Sequence, residues 1–245
     1  MPTKPTQTIA LITGANKGIG FEVATQLAGR GVLVLVGTRD EGRGRAAVDA
    51  LLARGLPVAP LRIDVTDDDS ITTAAREIDA RYGQLDILVN NAGISGGAAG
   101  SPSQITRARM RQVYETNVFG VVAVTTALLP LLRKSAAGRI VNLSSGLGSL
   151  TLSSDPASEF GTSIYLAYQS SKAAVNAITV AYAKELRPTA IKVNAADPGF
   201  TATDFKSHRG YRTVEQAAVV VVRLATLPVD GPTGTFQDEN GMVPW

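Results

Sequence analysis

Six short runs rich in Val, Ile and Leu recur along this chain, and stretches with helical spacing of apolar residues separate and follow them. The runs are "TIALIT" at 8–13, "VLVLVG" at 32–37, "VAPLRID" at 58–64, "LDILVNN" at 85–91, "GRIVNLSS" at 138–145 and "IKVNAADPG" at 191–199. Such short apolar runs suit strands covered on both faces of a sheet. Helical periodicity occupies 21–30, 43–54, 70–82, 107–132, 165–186 and 214–227. Strand and helix in this order predict an α/β fold, a doubly wound parallel sheet flanked by helices. No linker and no repeat at solenoid spacing divides the 245 residues, so 1–245 reads as one domain.

Composition narrows the chemistry. There is no cysteine, which excludes disulfides and thiolate catalysis and suits a reducing cytoplasm. The start, "MPTKPTQT", has no apolar core of a signal peptide, and apolar runs such as "VVAVTTALLPLL" fall short of a membrane span. A net charge of +3 is too small and too scattered to argue for nucleic acid. The single histidine, His208, cannot build a multi-histidine metal site and reads as a solvated loop residue. The expected partner is a small molecule, with no nucleic acid, metal or membrane.

In a doubly wound sheet, ligands bind beyond the carboxyl ends of the strands. The first strand runs into "TGANKGIG", with Gly14, Gly18 and Gly20. Glycines let a backbone approach a pyrophosphate, and the helix that follows points unpaired N–H groups at it. The second strand ends in "VGTRD". An NAD site places a carboxylate about 20 residues past the glycines, whereas an NADP site places an arginine there. Counting puts that position near Thr38, with Arg39 next and Lys17 inside the glycine loop. Two cations favour the 2′-phosphate of NADP(H). Asp40 is the competing feature, because a one-residue shift would set it at the ribose of NAD.

These residues, with "NNAG" at 90–93, "VNLSS" at 141–145, "YQSSK" at 168–172 and "DPG" at 197–199, resemble the short-chain dehydrogenase/reductases. The likeness covers nearly the whole chain, and "TGANKGIGFEVATQL", "TRD" and the terminal tryptophan look most like carbonyl reductases. The resemblance implies a Rossmann-type sheet and NADP(H) as cofactor. It implies that Gly14, Asn16, Lys17, Gly18, Ile19, Gly20 and Arg39 bind the cofactor. Asp64 and Val65 would hold the adenine, Asn91, Ala92 and Gly93 would run beneath the ribose, and Pro198, Gly199 and Thr201 would position the nicotinamide. The catalytic set maps to Asn117, Ser145, Tyr168 and Lys172, of which Tyr168 and Lys172 also contact the cofactor.

Hydride arriving at a carbonyl carbon builds negative charge on its oxygen, which then needs a hydrogen-bond donor and a proton. A free tyrosine has a pKa of about 10, and a nearby ammonium lowers it. Tyr168 lies one helical turn before Lys172, so Tyr168 is the expected acid and Lys172 the residue that tunes it and holds the ribose. Tyr165 shares the helix face one turn earlier and reads as packing or a pocket wall. Ser145 would bond the carbonyl oxygen; Ser144 competes for that role, and strand alternation sends the two to opposite faces. Asn117 would anchor a water leading to Lys172.

Two features depart from the common family pattern. Ser145 and Tyr168 lie 23 positions apart, wider than in many members, and the extra Ser/Gly-rich stretch reads as a loop. In carbonyl reductases such an insertion covers a helix face used elsewhere for oligomer packing, which implies a monomer. Asp197 stands where the family more often has a small neutral residue. The pocket walls are expected from 95–100, 147–165 and 200–211, where Lys206, His208 and Arg209 read as solvated loop charges or, alternatively, as cations that would favour an anionic substrate. Three functions compete: an NADPH-dependent ketone or aldehyde reductase, an NAD-dependent alcohol dehydrogenase, and a non-catalytic nucleotide sensor. Lys17 and Arg39 argue against the second; the Tyr168–Lys172 pair and Ser145 argue against the third.

Overall fold

A computed structural model describes residues 7–97, 100–204 and 209–245. The described strands are β1 (Ile9–Thr13), β2 (Leu33–Thr38), β3 (Val58–Arg62), β4 (Ile87–Asn90), β5 (Arg139–Leu143), β6 (Lys192–Ala196) and β7 (Phe236–Gln237). They form one sheet in the order β3-β2-β1-β4-β5-β6-β7, with every pairing parallel. The order reverses between β1 and β4, so the crevice for a ligand opens at their carboxyl ends.

Alternation along the strands feeds two cores. In β1, Ala10 and Ile12 pack with α1 (Gly18–Ala28), α2 (Glu41–Leu52) and α8 (Val214–Ala225) through Val23, Leu27, Val48 and Val221. Ile9 and Leu11 face the other way, toward α3 (Asp68–Tyr82), α5 (Gly120–Leu132) and α7 (Leu166–Glu185), among Ile78, Leu128 and Leu186. This is why both faces of these strands are apolar.

The six expected strands and six expected helical stretches are present, with shifted ends. The third and sixth strands stop at Arg62 and Ala196, before Asp64 and Gly199, because the chain leaves the sheet into the ligand-side loops. The seventh strand was not expected; two residues after a Pro/Gly-rich stretch carry no periodic signal. The helix expected over 107–132 is α4 (Arg107–Tyr114) joined to α5 through a π-helical turn at Glu115–Phe119. Taken whole, Arg107–Leu132 is long and apolar enough to cross a membrane by length and composition, unlike the apolar run read alone, and half of that apolar window is buried in the protein.

The stretch after Ser145 is not loop throughout. It holds a short 3-10 turn and helix α6 (Leu150–Ser154), whose start Ser149 caps by accepting from Leu152 N at 3.0 Å. Thr151 N donates to the Trp245 carbonyl, and Gly100 N to the Ile164 carbonyl. Phe119, at the end of the π-helical turn, and Val122, on α5, are exposed.

Candidate active site

The glycine loop packs against the end of β4. Gly14 and Gly18 adopt positive φ, at +66° and +57°, where a side chain is strained. A Cβ at Gly14 would stand 3.0 Å from the Ala92 Cα, and one at Gly20 would collide with the Asn91 amide. Asn91 Nδ2 donates to the Thr13 and Gly14 carbonyls at 2.7 and 3.1 Å, and Thr13 Oγ1 accepts from Asn91 N and Ala92 N, each at 3.0 Å. Helix α1 starts with no side-chain cap at Lys17, whereas Asp40, Asp67, Thr106 and Thr213 cap α2, α3, α4 and α8. A side-chain-free cradle and an uncapped helix start fit an anionic phosphate.

At the far end of this crevice, Arg39 is exposed beside Asp64. Burial opposes ionisation of Asp64, yet hydrogen bonds from Thr66 and the charges of Arg39 and Arg62 hold its carboxyl below the ordinary aspartate range. Asp40 accepts from Arg43 N at 2.9 Å as the cap of α2 and pairs with the Arg43 guanidinium at 3.6 Å. Its carboxylate therefore has a structural duty as the cap of α2. Lys17 reaches across the mouth of the crevice to Asp204, 2.8 Å away, with both side chains more than half exposed.

Tyr168, Ser145 and Lys172 come together at the end of β5. The Tyr168 side chain is hydrogen-bonded to Ser145. Ser144 turns the other way, donating to Asn176 Oδ1 at 2.6 Å inside the protein. Register thus separates the two serines, and Ser145 is the one on the tyrosine's side. Lys172 Nζ donates to the Leu143 carbonyl at 2.6 Å and is 4% exposed. Burial pushes its ammonium down to about 8. Burial also pushes the Tyr168 phenol well above its ordinary value, an effect that the Ser145 bond opposes and the Asp197 charge reinforces.

Asn117 sits in the π-helical turn. Its Oδ1 accepts from Ile94 N at 2.8 Å, and its Nδ2 donates to the Ile94 carbonyl and to Ser171 Oγ at 2.9 and 3.0 Å. It thus ties the loop after β4 to α7. These hydrogen bonds do not include Lys172, and a Cβ at Gly93 would lie 3.4 Å from Asn117 Oδ1 and 3.8 Å from Lys172 Nζ. Gly199 has φ of +72° against the Arg212 side chain, and Thr201 Oγ1 donates to the Gly199 carbonyl at 3.1 Å.

A cavity of about 190 Å³ opens beside Tyr168. The expected first wall is present in Ser95, Gly96, Gly97 and Gly100; of the second wall only Ile164 and Tyr165 line it. Of the third wall, none of the described residues 200–204 and 209–211 lines this cavity, and Lys206 and His208 lie outside the described residues. Gln104, Ile105 and Arg109 contribute as well, and among the described lining residues Arg109 is the charged one. Sequence reading missed it because its helix follows the β4 loop without a recognisable motif. Also missed was a buried polar chain: Asn90 Nδ2 donates to Thr125 Oγ1 and Asn142 Oδ1, and Asn142 Nδ2 donates to Thr179 Oγ1. It links β4, β5, α5 and α7 behind the site.

The family model of short chain dehydrogenases matches residues 8–212. This chain belongs to that family. It is an oxidoreductase of the carbonyl-reductase-like branch, in a family that typically binds NADP(H). It is similar to a short-chain dehydrogenase, anuI, of Penicillium roqueforti, with 42% identity over 98% of this chain and 97% of the relative. Among solved structures it is similar to salutaridine reductase from Papaver somniferum, at 31% identity and a TM-score of 0.82, covering 94% of this chain and 99% of that one. It is also similar to the NADPH-bound carbonyl reductase from chicken fatty liver, at 28% identity and a TM-score of 0.85, covering 98% and 99%.

Proposed function

We propose that this short-chain dehydrogenase is an NADPH-dependent reductase of a small-molecule ketone or aldehyde, with Tyr168 as the general acid. The observation that carries the reading is the Ser145–Tyr168 hydrogen bond, with Lys172 buried behind it at the end of β5. The relatives named as reductases support the same chemistry.

NADPH supplies the hydride when bound. Gly14, Gly18 and Gly20 leave room for its pyrophosphate at the start of α1, and Lys17 and Arg39 supply cations for its 2′-phosphate. Ser145 and Tyr168 aim hydroxyl groups at the substrate carbonyl oxygen and stabilise the charge that develops there. Burial keeps Tyr168 protonated, which suits a donor. Lys172 places a positive charge near the ring and assists as the proton leaves. Asn117 fixes the β4 loop against α7, and we assign it the water that leads protons to Lys172.

The test is cofactor consumption against a panel of ketones and aldehydes, with NADPH and NADH compared and Tyr168→Phe as control. The expected result is turnover preferring NADPH, lost in the variant, with NADPH affinity within a few-fold of the parent. Equal turnover by Tyr168→Phe overturns the mechanism. Absence of any turnover alongside tight NADPH binding overturns the enzymatic reading in favour of a nucleotide sensor.

A further inference from the structure

The Asp197 carboxylate is buried at the end of β6, between the two loops that the proposed chemistry requires. Asp197 is 9% exposed. Its Oδ1 accepts from Gly199 N at 3.0 Å, inside the loop assigned to the nicotinamide. The backbone N–H of Gly146, the residue after Ser145, bonds to the same carboxylate. Gly146 has to be small for this contact. A Cβ there would sit 2.9 Å from Asp197 Oδ2 and collide with the Phe160 ring. The backbone of Asp197 is fixed as well, its N–H donating to the Gln237 carbonyl at 2.8 Å. One side chain on a rigid strand end therefore bridges two loops from different parts of the chain.

We propose that Asp197 is a positioning residue: its carboxylate pins the turn that carries Ser145 to the loop that carries Pro198 and Gly199, and so holds the carbonyl-oxygen donor in register with the nicotinamide face. A neutral amide of similar size keeps one acceptor oxygen and sets a donor NH2 in place of the other, whereas a carboxylate offers an acceptor oxygen to each N–H group. Burial is the cost of this arrangement. The groups facing the carboxylate are Glu159, Asp238, Tyr168, Tyr211 and Arg212. Arg212 is itself held by Glu239. The nearby acidic groups and burial make ionisation of Asp197 harder, and the two backbone donors offset this only in part. The same negative charge disfavours a phenolate at Tyr168, which keeps the tyrosine a proton donor and inclines the site toward reduction.

The inference rests on the reductase reading for its kinetic arm only. The geometric arm is amide hydrogen exchange in the full chain without substrate, comparing the parent with Asp197→Ala and Asp197→Asn. In Asp197→Ala, exchange at Gly146 and Gly199 is expected to rise about tenfold or more while amides of β4 and β5 keep their protection. Asp197→Asn, which keeps one acceptor, is expected to fall between and remains the test if the alanine variant does not fold. In the kinetic arm, kcat is expected to drop about tenfold with the carbonyl KM within roughly threefold, the mark of lost transition-state alignment. Unchanged exchange at either glycine in a folded variant overturns the tether. Faster exchange spreading through β4 and β5 assigns Asp197 to general stability and overturns positioning, as does loosened exchange with unchanged kcat. A parent protein with no carbonyl turnover sinks the reductase reading and leaves exchange to decide the tether.

Discussion

The Lys172 ammonium lies 5.6 Å from the centre of the Tyr168 ring and gives a hydrogen bond to the Leu143 carbonyl. The lysine is thus anchored on β5 beside the ring, but the lowering of Tyr168 expected from it is not found, because burial and the Asp197 charge push the phenol up. Burial lowers the lysine to about 8 from its ordinary value of 10.5. Between those values the unfolded chain binds more protons than the folded one, so this group makes stability rise with pH across that window. Lys172→Met removes the contribution. Thermal midpoints measured from neutral to alkaline pH should show the parent gaining on the variant as pH rises above about 8. Parallel curves would mean that Lys172 is not depressed.

The two serines at the end of β5 should separate by phenotype. Ser145→Ala removes the partner of Tyr168 and a donor to the substrate oxygen, for an expected loss of about 10²–10³ in kcat. Ser144→Ala leaves Asn176 Oδ1 without its 2.6 Å donor. That change should cost about 1–3 kcal/mol of stability and leave kcat near the parent. Denaturant melts and carbonyl turnover on both variants check this, and a catalytic defect confined to Ser144→Ala would reverse the assignment.

What was legible in the sequence is what is local. The Val/Ile runs are covered on both faces, and the glycines of "TGANKGIG" mark where backbone meets backbone, so strands, helix order and the close packing of the glycine loop could be read directly. The choice of Ser145 over Ser144 needed only the two-residue period of a strand and the family pattern. Asn90, Asn142, Thr125 and Thr179 were invisible as a set because they join four elements far apart in the chain. Arg109 lines the cavity beside Gly96 and Gly97, both at positive φ, a neighbourhood that its own stretch of sequence does not reveal. Asp197 stood out as unusual, yet its meaning lies in two backbone amides that no spacing rule connects.

Cofactor preference should follow charge at the two ends of the crevice. Lys17→Gln and Arg39→Gln each remove a cation assigned to the 2′-phosphate, and a charge-assisted bond contributes about 1.5–3 kcal/mol. The NADPH KM should rise roughly 10- to 100-fold while the NADH KM moves little. Asp204 competes with phosphate for Lys17 in the 2.8 Å pair. An exposed pair contributes under about 1 kcal/mol, so Asp204→Asn should tighten NADPH binding by less than about fivefold. Fluorescence titration with both cofactors checks all three variants, and an equal loss for NADH and NADPH would remove the 2′-phosphate from the argument.

The third glycine of the loop should be as demanding as the motif implies. Gly20 lies in the first turn of α1, and a Cβ there would collide with Asn91 Nδ2 and stand 2.9 Å from the Gly14 carbonyl oxygen. Asn91 could yield only by giving up its bonds to the Thr13 and Gly14 carbonyls. Gly20→Ala should therefore destabilise by about 1–3 kcal/mol through overpacking. It should also weaken NADPH, because the same bonds shape the phosphate cradle. Gly55→Ala is the matched control: it has φ of +72° with nothing within 4 Å of the added Cβ. It should show a backbone cost of about 1–2 kcal/mol and unchanged cofactor affinity. Melts and NADPH titrations on the two variants separate strain alone from strain that reaches the site. Parent-like NADPH affinity in Gly20→Ala would show that the cradle does not depend on Asn91.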